Sequence, residues 1–180
     1  MDKTRLAEQS KLYQGLTDYR LPKHGFNILQ LDGNAFHTYT KGMERPFDTR
    51  FVDTMNRTAI AVVESLPTAI FAYVQSDEIN IMTYIPEENE KHSGHFNNRI
   101  QKIVSLSAAK ASVTMSALYP EKQPALFDAR FFNVPTRNEA VEHFIWRQRD
   151  CVNFFGYFVN ISNSFSCWLF HYHSTKFVFC

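Results

Sequence analysis

Two acidic stretches carry the residue types used in metal-assisted chemistry. The first is Ile28-Leu29-Gln30-Leu31-Asp32-Gly33, an apolar run that delivers a carboxylate and then turns sharply. The second closes another apolar run with Gln75-Ser76-Asp77-Glu78, acids again at a strand tip. Carboxylates brought close together repel unless a cation neutralises them. Oxygen ligands without histidine or cysteine at ligand spacing favour magnesium or manganese over zinc. The backbone carbonyl of Gly33 offers one more oxygen beside Asp32 and Asp77. Two such ions, roughly 3.5–4 Å apart, form the clamp used for in-line phosphoryl and nucleotidyl transfer. Each stretch also has a plainer explanation, since Asp-Gly often makes only a turn and Ser-Asp-Glu only a solvated hairpin tip.

The elements that must position these acids follow from pattern. Residues 1–24 read as an N-terminal helical segment with Leu6, Leu12, Tyr13 and Leu16 as its stripe, ended by Leu21-Pro22. Residues 27–31 are a first strand, and 35–42 a loop or short helix. Asp48 is a plausible N-cap for a helix whose face carries Phe51, Val52, Met55, Ala59, Val62, Val63 and Leu66, closed by Pro67. Residues 69–74 and 79–85 form a hairpin around the polar turn. A charged loop over 86–98 precedes a helix over 99–118, with Ile100, Ile103, Val104, Ser107, Lys110 and Ala111 along one side. Residues 125–134 supply a fourth strand. Thr136-Arg137-Asn138-Glu139 is a capping box opening a last helix through Val141, Phe144, Ile145 and Gln148. The order is βαββαβ, an α+β, ferredoxin-like split βαβ arrangement with flanking helices. In that topology the first and third strands lie side by side, so Asp32 abuts the turn that bears Asp77 and Glu78.

Composition narrows the class. A chain of 180 residues has length for one real core. Its net charge of +1 gives no global basic field, so nucleic-acid binding must use a local patch. Lys102, Lys110, Arg130, Arg147 and Arg149 are the candidates for it, with solvated helix faces as the alternative. The start is polar and charged, without the apolar core of a secretory signal. Cys151, Cys167 and Cys180 show no metal-ligand spacing, which suits a reducing, cytoplasmic setting. Residues 151–180 mix aromatics with Asn and Ser and keep neither strand nor helix period, and the polar interruptions argue against a membrane span. The chain thus divides into a catalytic-type domain over 1–150 and an atypical C-terminal segment over 151–180.

Trp146 is expected in the core, whereas His37 either orients a phosphate or packs with Phe36 and Tyr39 behind the strand turn. His92 and His95 flank a glycine without an acidic partner, a poor metal site.

Taken in order, Leu31-Asp32-Gly33-Asn34-Ala35-Phe36-His37, Lys41-Gly42 with Pro46-Phe47-Asp48, Gln75-Ser76-Asp77-Glu78, Gln101-Lys102-Ile103, Phe127-Asp128-Ala129-Arg130 and Trp146-Arg147-Gln148-Arg149-Asp150 resemble the tRNA(His) guanylyltransferase family. The likeness is greatest to its bacterial-type 3′-5′ polymerase members and spans about residues 5–150. It implies a palm-like core, Asp32 and Asp77 as catalytic metal carboxylates, the Gly33 carbonyl as a further ligand, and two magnesium ions. It also implies nucleotide binding by Asn34, Ala35, Phe36, His37, Arg45, Asp48, Ser76 and Glu78. The implied activity is nucleotide addition to the 5′ end of tRNA. A 5′-monophosphate end is first activated with ATP or GTP, and the 3′-hydroxyl of an incoming nucleotide then attacks it. The family's tetramer is the implied assembly. The chain departs from the family pattern at Gln30 and Asn34, where positive charge is usual, and after Asp150. A catalytically impaired tRNA- or nucleotide-binding relative is the alternative, and a nucleotide cyclase on the same palm a third reading.

Overall fold

The sheet is built outward from its first strand. In the computed structural model, which describes residues 3–44, 48–89, 91–158, 168–172 and 175–179, β1 (Gly25–Gly33) sits between β3 (Glu78–Ile85) and β4 (Phe127–Val134), antiparallel to both. β2 (Ala69–Gln75) pairs with β3 through the expected hairpin, giving the order β4-β1-β3-β2. That is the split βαβ sheet that the alternation of helical and strand periods predicts. Beyond it, β5 (Trp168–Tyr172) and β6 (Thr175–Phe179) form a hairpin, and β6 runs parallel to β2 on its outer edge. Aperiodic sequence over 151–180 gives no hint of this addition.

Alternation assigns the two faces. Leu29 and Leu31, Ile79 and Ile81, Ala72 and Val74, and Phe127 and Phe131 share one face and are buried in one cluster. Two helices cover it. α3 (Thr49–Glu64) starts at Asp48, whose carboxylate accepts the Phe51 N–H at 2.9 Å, and buries Phe51, Met55, Ala59, Val62 and Val63. Each large apolar side chain so buried contributes about 1.5–3 kcal/mol. α4 (Ile100–Leu118) buries Ile103, Ser107, Ala111 and Met115 at a strict four-residue spacing, while Lys110 turns to solvent. Ser107 and Ala111 are small, which lets the helix approach closely. Two further serines dock the entry to β4: Ser112 Oγ accepts the Phe127 N–H at 3.0 Å and Ser116 Oγ the Ala125 N–H at 2.9 Å.

The opposite face lies under α5 (Arg137–Phe158), which runs ten residues past the expected Gln148. Thr136 caps it, accepting the Glu139 N–H at 3.2 Å and pairing with the Glu139 carboxylate at 2.8 Å. Its sheet-facing residues differ from the expected stripe. Val141 and Ile145 are 45% and 41% exposed, and Trp146, expected in the core, is 57% exposed. Phe144 turns inward as expected, joined by Ala140, His143 and Arg147. The reason lies in the sheet: this face presents Asn80 and Glu78, whose buried polar atoms require partners more than they require methyl groups.

α1 (Lys3–Gly15) also departs from expectation. It ends six residues before Leu21, and Leu6, Leu12, Tyr13 and Leu16 are exposed rather than core. The chain beyond it is claimed by the start of α4. Asp18 pairs with Arg99 and with Arg20, and the Ile100 N–H donates to the Tyr19 carbonyl at 3.0 Å.

Candidate functional site

Asp32 and Asp77 meet at one end of the sheet. Asp32 closes β1, and its register partner on β3 is Glu78. Asp77 precedes Glu78 in the β2–β3 turn, and the Gly33 N–H donates to the Asp77 carbonyl at 3.1 Å. Both aspartates are half-buried. Burial lifts the Asp77 carboxyl above the ordinary aspartate range and the charge of Asp32 raises it further, while its own amide and the Ser76 hydroxyl act in the other direction. The cost of two such carboxylates together is what a bound cation removes.

Local backbone holds this arrangement in conformations that ordinary side chains avoid. Ser76 in the turn has φ 51° and Ala35, just past Gly33, has φ 57°. Such left-handed residues cost about 1–2 kcal/mol each and gather at functional sites. Gly33 is required for a different reason: a Cβ there would lie inside the van der Waals surface of the Phe36 ring. Phe36 is buried, stacked on Tyr39 at 4.8 Å between ring centroids and tilted against Phe127 at 5.1 Å. The ring thus wedges the turn after Asp32 against the core. Phe36 and Tyr39 open and close the single-turn α2 (Phe36–Tyr39).

The other expected site residues fall as follows. Asn34, Ala35 and His37 are exposed on the turn beside the acids, and His37 Nε2 lies 3.1 Å from Thr38 Oγ1. Ser76 is exposed at the tip of the hairpin. Asp48 is engaged as the cap of α3, its second oxygen accepting the Glu44 N–H at 3.2 Å. Arg45 lies outside the described residues. Lys102, Lys110, Arg130 and Arg149 are exposed. Lys102 sits over the Phe96 ring at 4.6 Å, and Arg130 faces Gln30 one row from Asp32. Arg147 behaves differently: its side chain is 13% exposed and ion-paired with Glu78. Glu78 itself is 8% exposed and accepts from Asn80 Nδ2 at 2.6 Å.

Periodicity alone missed two features. Asp128 pairs in register with Asp32 across β4, so Asp128, Asp32 and Glu78 form one acidic row. Asn80 and His143, 3.2 Å apart, continue the Glu78–Arg147 contact into α5. Strand alternation could have found the row, but helix phase cannot be fixed without knowing what the sheet presents. Among the described residues no group of three or more His, Cys, Asp or Glu is gathered to hold a metal ion. Asp32 and Asp77 therefore suit an ion that takes one or two carboxylates and completes its shell with water, backbone and substrate phosphate oxygens, as magnesium does.

The family model for tRNAHis guanylyltransferase matches residues 7–135. The chain belongs to this family. An uncharacterized protein of Acanthamoeba polyphaga mimivirus is 27% identical over 81% of this chain and 59% of its own length. The tRNA(His) guanylyltransferase of Debaryomyces hansenii is 32% identical over 69% of this chain and 49% of its own. A bacterial tRNA(His) guanylyltransferase-like protein, solved in complex with ATP, superposes with a TM-score of 0.77 at 33% identity, over 81% of this chain and 66% of that one. The same figures for TM-score and identity hold for the complex with GTP. The chain thus spans less than two thirds of the length of each of these relatives. Among the described residues, no helix is long and apolar enough to cross a membrane.

Proposed function

We propose that this chain is a magnesium-dependent nucleotidyltransferase that adds nucleotides to the 5′ end of tRNA in the 3′-5′ direction. The meeting of Asp32 and Asp77 at one strand end, in a chain of the guanylyltransferase family, carries this reading. Asp32, Asp77 and the Gly33 carbonyl are the residues that would hold two magnesium ions. Bound there, the ions would neutralise the triphosphate and its leaving group.

The remaining work falls to the chain's own groups. Asn34, Ala35 and His37 border the acids and would receive the nucleotide phosphates, with Ser76 on the facing turn and Arg45 beyond. Phe36, Glu78 and Asp48 would shape the nucleotide site through the packing and hydrogen bonds they make. Lys102, Lys110, Arg130 and Arg149 would meet tRNA phosphates, the contacts that supply affinity without reading sequence. In the first step a 5′-phosphate oxygen of the tRNA bonds the α-phosphorus of ATP or GTP, and pyrophosphate leaves. In the second, the 3′-hydroxyl of an incoming nucleotide bonds the 5′-phosphorus. It loses its proton, and the activating nucleoside monophosphate leaves. The ATP and GTP complexes of the bacterial relative support both nucleotides as ligands.

The test is to incubate 5′-truncated, 5′-phosphorylated tRNA with nucleoside triphosphates and magnesium and to follow product length. Extension by the wild type that Asp77→Ala abolishes supports the reading. No extension by the wild type, or undiminished extension by the variant, overturns it.

A further inference from the structure

Arg147 has the sequence signature of a surface cation but not its environment. It projects from α5 onto the sheet, is 13% exposed, and its Nη2 pairs with Glu78 Oε2. Its Nε–H is buried with no acceptor among the described residues, so the guanidinium holds Glu78 through one terminal nitrogen rather than a two-pronged fork. Glu78 receives a second hydrogen bond from Asn80, and Asn80 in turn contacts His143 on the same helix. The indole of Trp146 lies against the guanidinium, 4.6 Å from ring centroid to Cζ.

The position of Glu78 gives this network its consequence. Glu78 and Asp32 are direct antiparallel partners, so their side chains project from the same face with Cβ atoms about 4.5–5.5 Å apart. Asp77 is the next residue toward the turn. Without a cation at Glu78, its free carboxylate would join those of Asp32, Asp77 and Asp128 at one strand end and could rotate into the ion site.

We infer that Arg147 is a positioning residue for the acid pair: by holding the Glu78 carboxylate against α5, it restricts the cation site to Asp32 and Asp77. This rests on the reading of the two aspartates as a cation site. It withdraws Arg147 from the tRNA-binding surface. It also gives Glu78 a structural duty, as the anchor that ties the β2–β3 turn to the helix.

Charge balance makes the test directional. Removing the guanidinium leaves an extra negative charge beside the pair, whereas removing the carboxylate leaves an extra positive one. Mn2+ binding to the purified full chain, read by electron paramagnetic resonance of the free ion, is therefore expected to tighten at least about fivefold in Arg147→Met. It is expected to weaken by a similar factor in Glu78→Gln and to return within about twofold of wild type when both changes are combined. Arg147→Gln, polar but uncharged, tightens Mn2+ binding likewise and serves where Arg147→Met fails to fold, whereas Arg147→Lys, which keeps the charge, holds the wild-type affinity. In the tRNA extension assay Arg147→Met lowers kcat and leaves KM for tRNA and its salt dependence unchanged.

Single variants that both stay within twofold of wild type overturn the inference, as does an Arg147→Met variant that binds Mn2+ more weakly than wild type. A raised KM for tRNA with a shallower salt dependence overturns it too, by returning Arg147 to the RNA surface. A wild-type protein that binds no Mn2+ removes the cation site itself, and the inference falls with it.

Discussion

The Gly33 amide donates to the Asp77 carbonyl at 3.1 Å, so the end of β1 is bonded to the very turn that carries the second acid. Asp32 and Asp77 therefore cannot drift apart without breaking a backbone bond. Their proximity is costly: burial and the Asp32 charge both raise the Asp77 carboxyl. The expected outcome is opposite effects on activity and stability. Asp77→Asn lowers tRNA extension about a thousandfold or more, in line with the loss of a principal electrostatic group. The thermal midpoint of the same variant, measured in the absence of divalent ions, stays level or rises, because a repulsion has been relieved.

Gly33 and Gly15 give a matched pair of substitutions. A methyl at Gly33 meets the Phe36 ring, which Tyr39 and Phe127 prevent from yielding. Gly33→Ala is expected to cost about 1–3 kcal/mol, the range for overpacking a filled core, and to shift the turn that follows Asp32. At Gly15 nothing lies within 4 Å of the added carbon. Gly15→Ala is expected to be neutral or stabilising by up to about 1 kcal/mol. Urea denaturation of the two variants beside wild type decides the matter.

The acid pair was legible in the sequence because two strong local signals fixed it. An apolar run ending in Asp-Gly and a hairpin ending in Ser-Asp-Glu leave one arrangement once the split βαβ order is recognised. The sheet order 4-1-3-2 and the two faces of β1 follow from the same alternation. Helix phase was less readable. In α5 the inward residues include His143 and Arg147, chosen by buried partners on the sheet rather than by apolarity, so a hydrophobic stripe pointed to Val141 and Ile145 instead. The ends of α1 escaped for a related reason, since Asp18 and Tyr19 bond to a segment 81 residues away. The consecutive left-handed residues Phe96, Asn97 and Asn98 have a local cue only in the two asparagines. The Asn98 side chain, donating to the Pro22 carbonyl at 2.7 Å, holds that turn through a contact no spacing rule records.

His143 provides a pH signature. Burial beside Asn80 and the aromatic rings of Phe132 and Phe144 holds its imidazole below the ordinary value of 6.5. The unfolded chain then binds more protons than the folded one wherever pH falls between the two values. Stability from this group is fully present above pH 6.5 and is lost as pH drops through the folded value. His95, lowered by burial and by Lys102, acts in the same direction. Urea midpoints between pH 7.5 and pH 5 should therefore fall for the wild type and fall less steeply for His143→Gln. Equal slopes for the two proteins would assign the whole effect to other groups.

The four exposed cations make a prediction that separates them from Arg147. A phosphate contact contributes to the salt dependence of tRNA affinity by about 0.7–0.9 in the logarithmic slope. Alanine substitution at Lys102, Lys110, Arg130 or Arg149 is expected to weaken tRNA binding similarly for any tRNA and to flatten that slope by about one unit. Arg130 is the most informative of the four, because it faces Gln30 one row behind Asp32. A phosphate bound by Arg130 lies near the acid pair, so Arg130→Ala should lower kcat as well as affinity. Lys110→Ala, on the exposed side of α4, should lower affinity alone. Filter binding at several salt concentrations, with single-turnover rates at saturating enzyme, distinguishes the two. If all four slopes match wild type, tRNA is held by another surface of the protein.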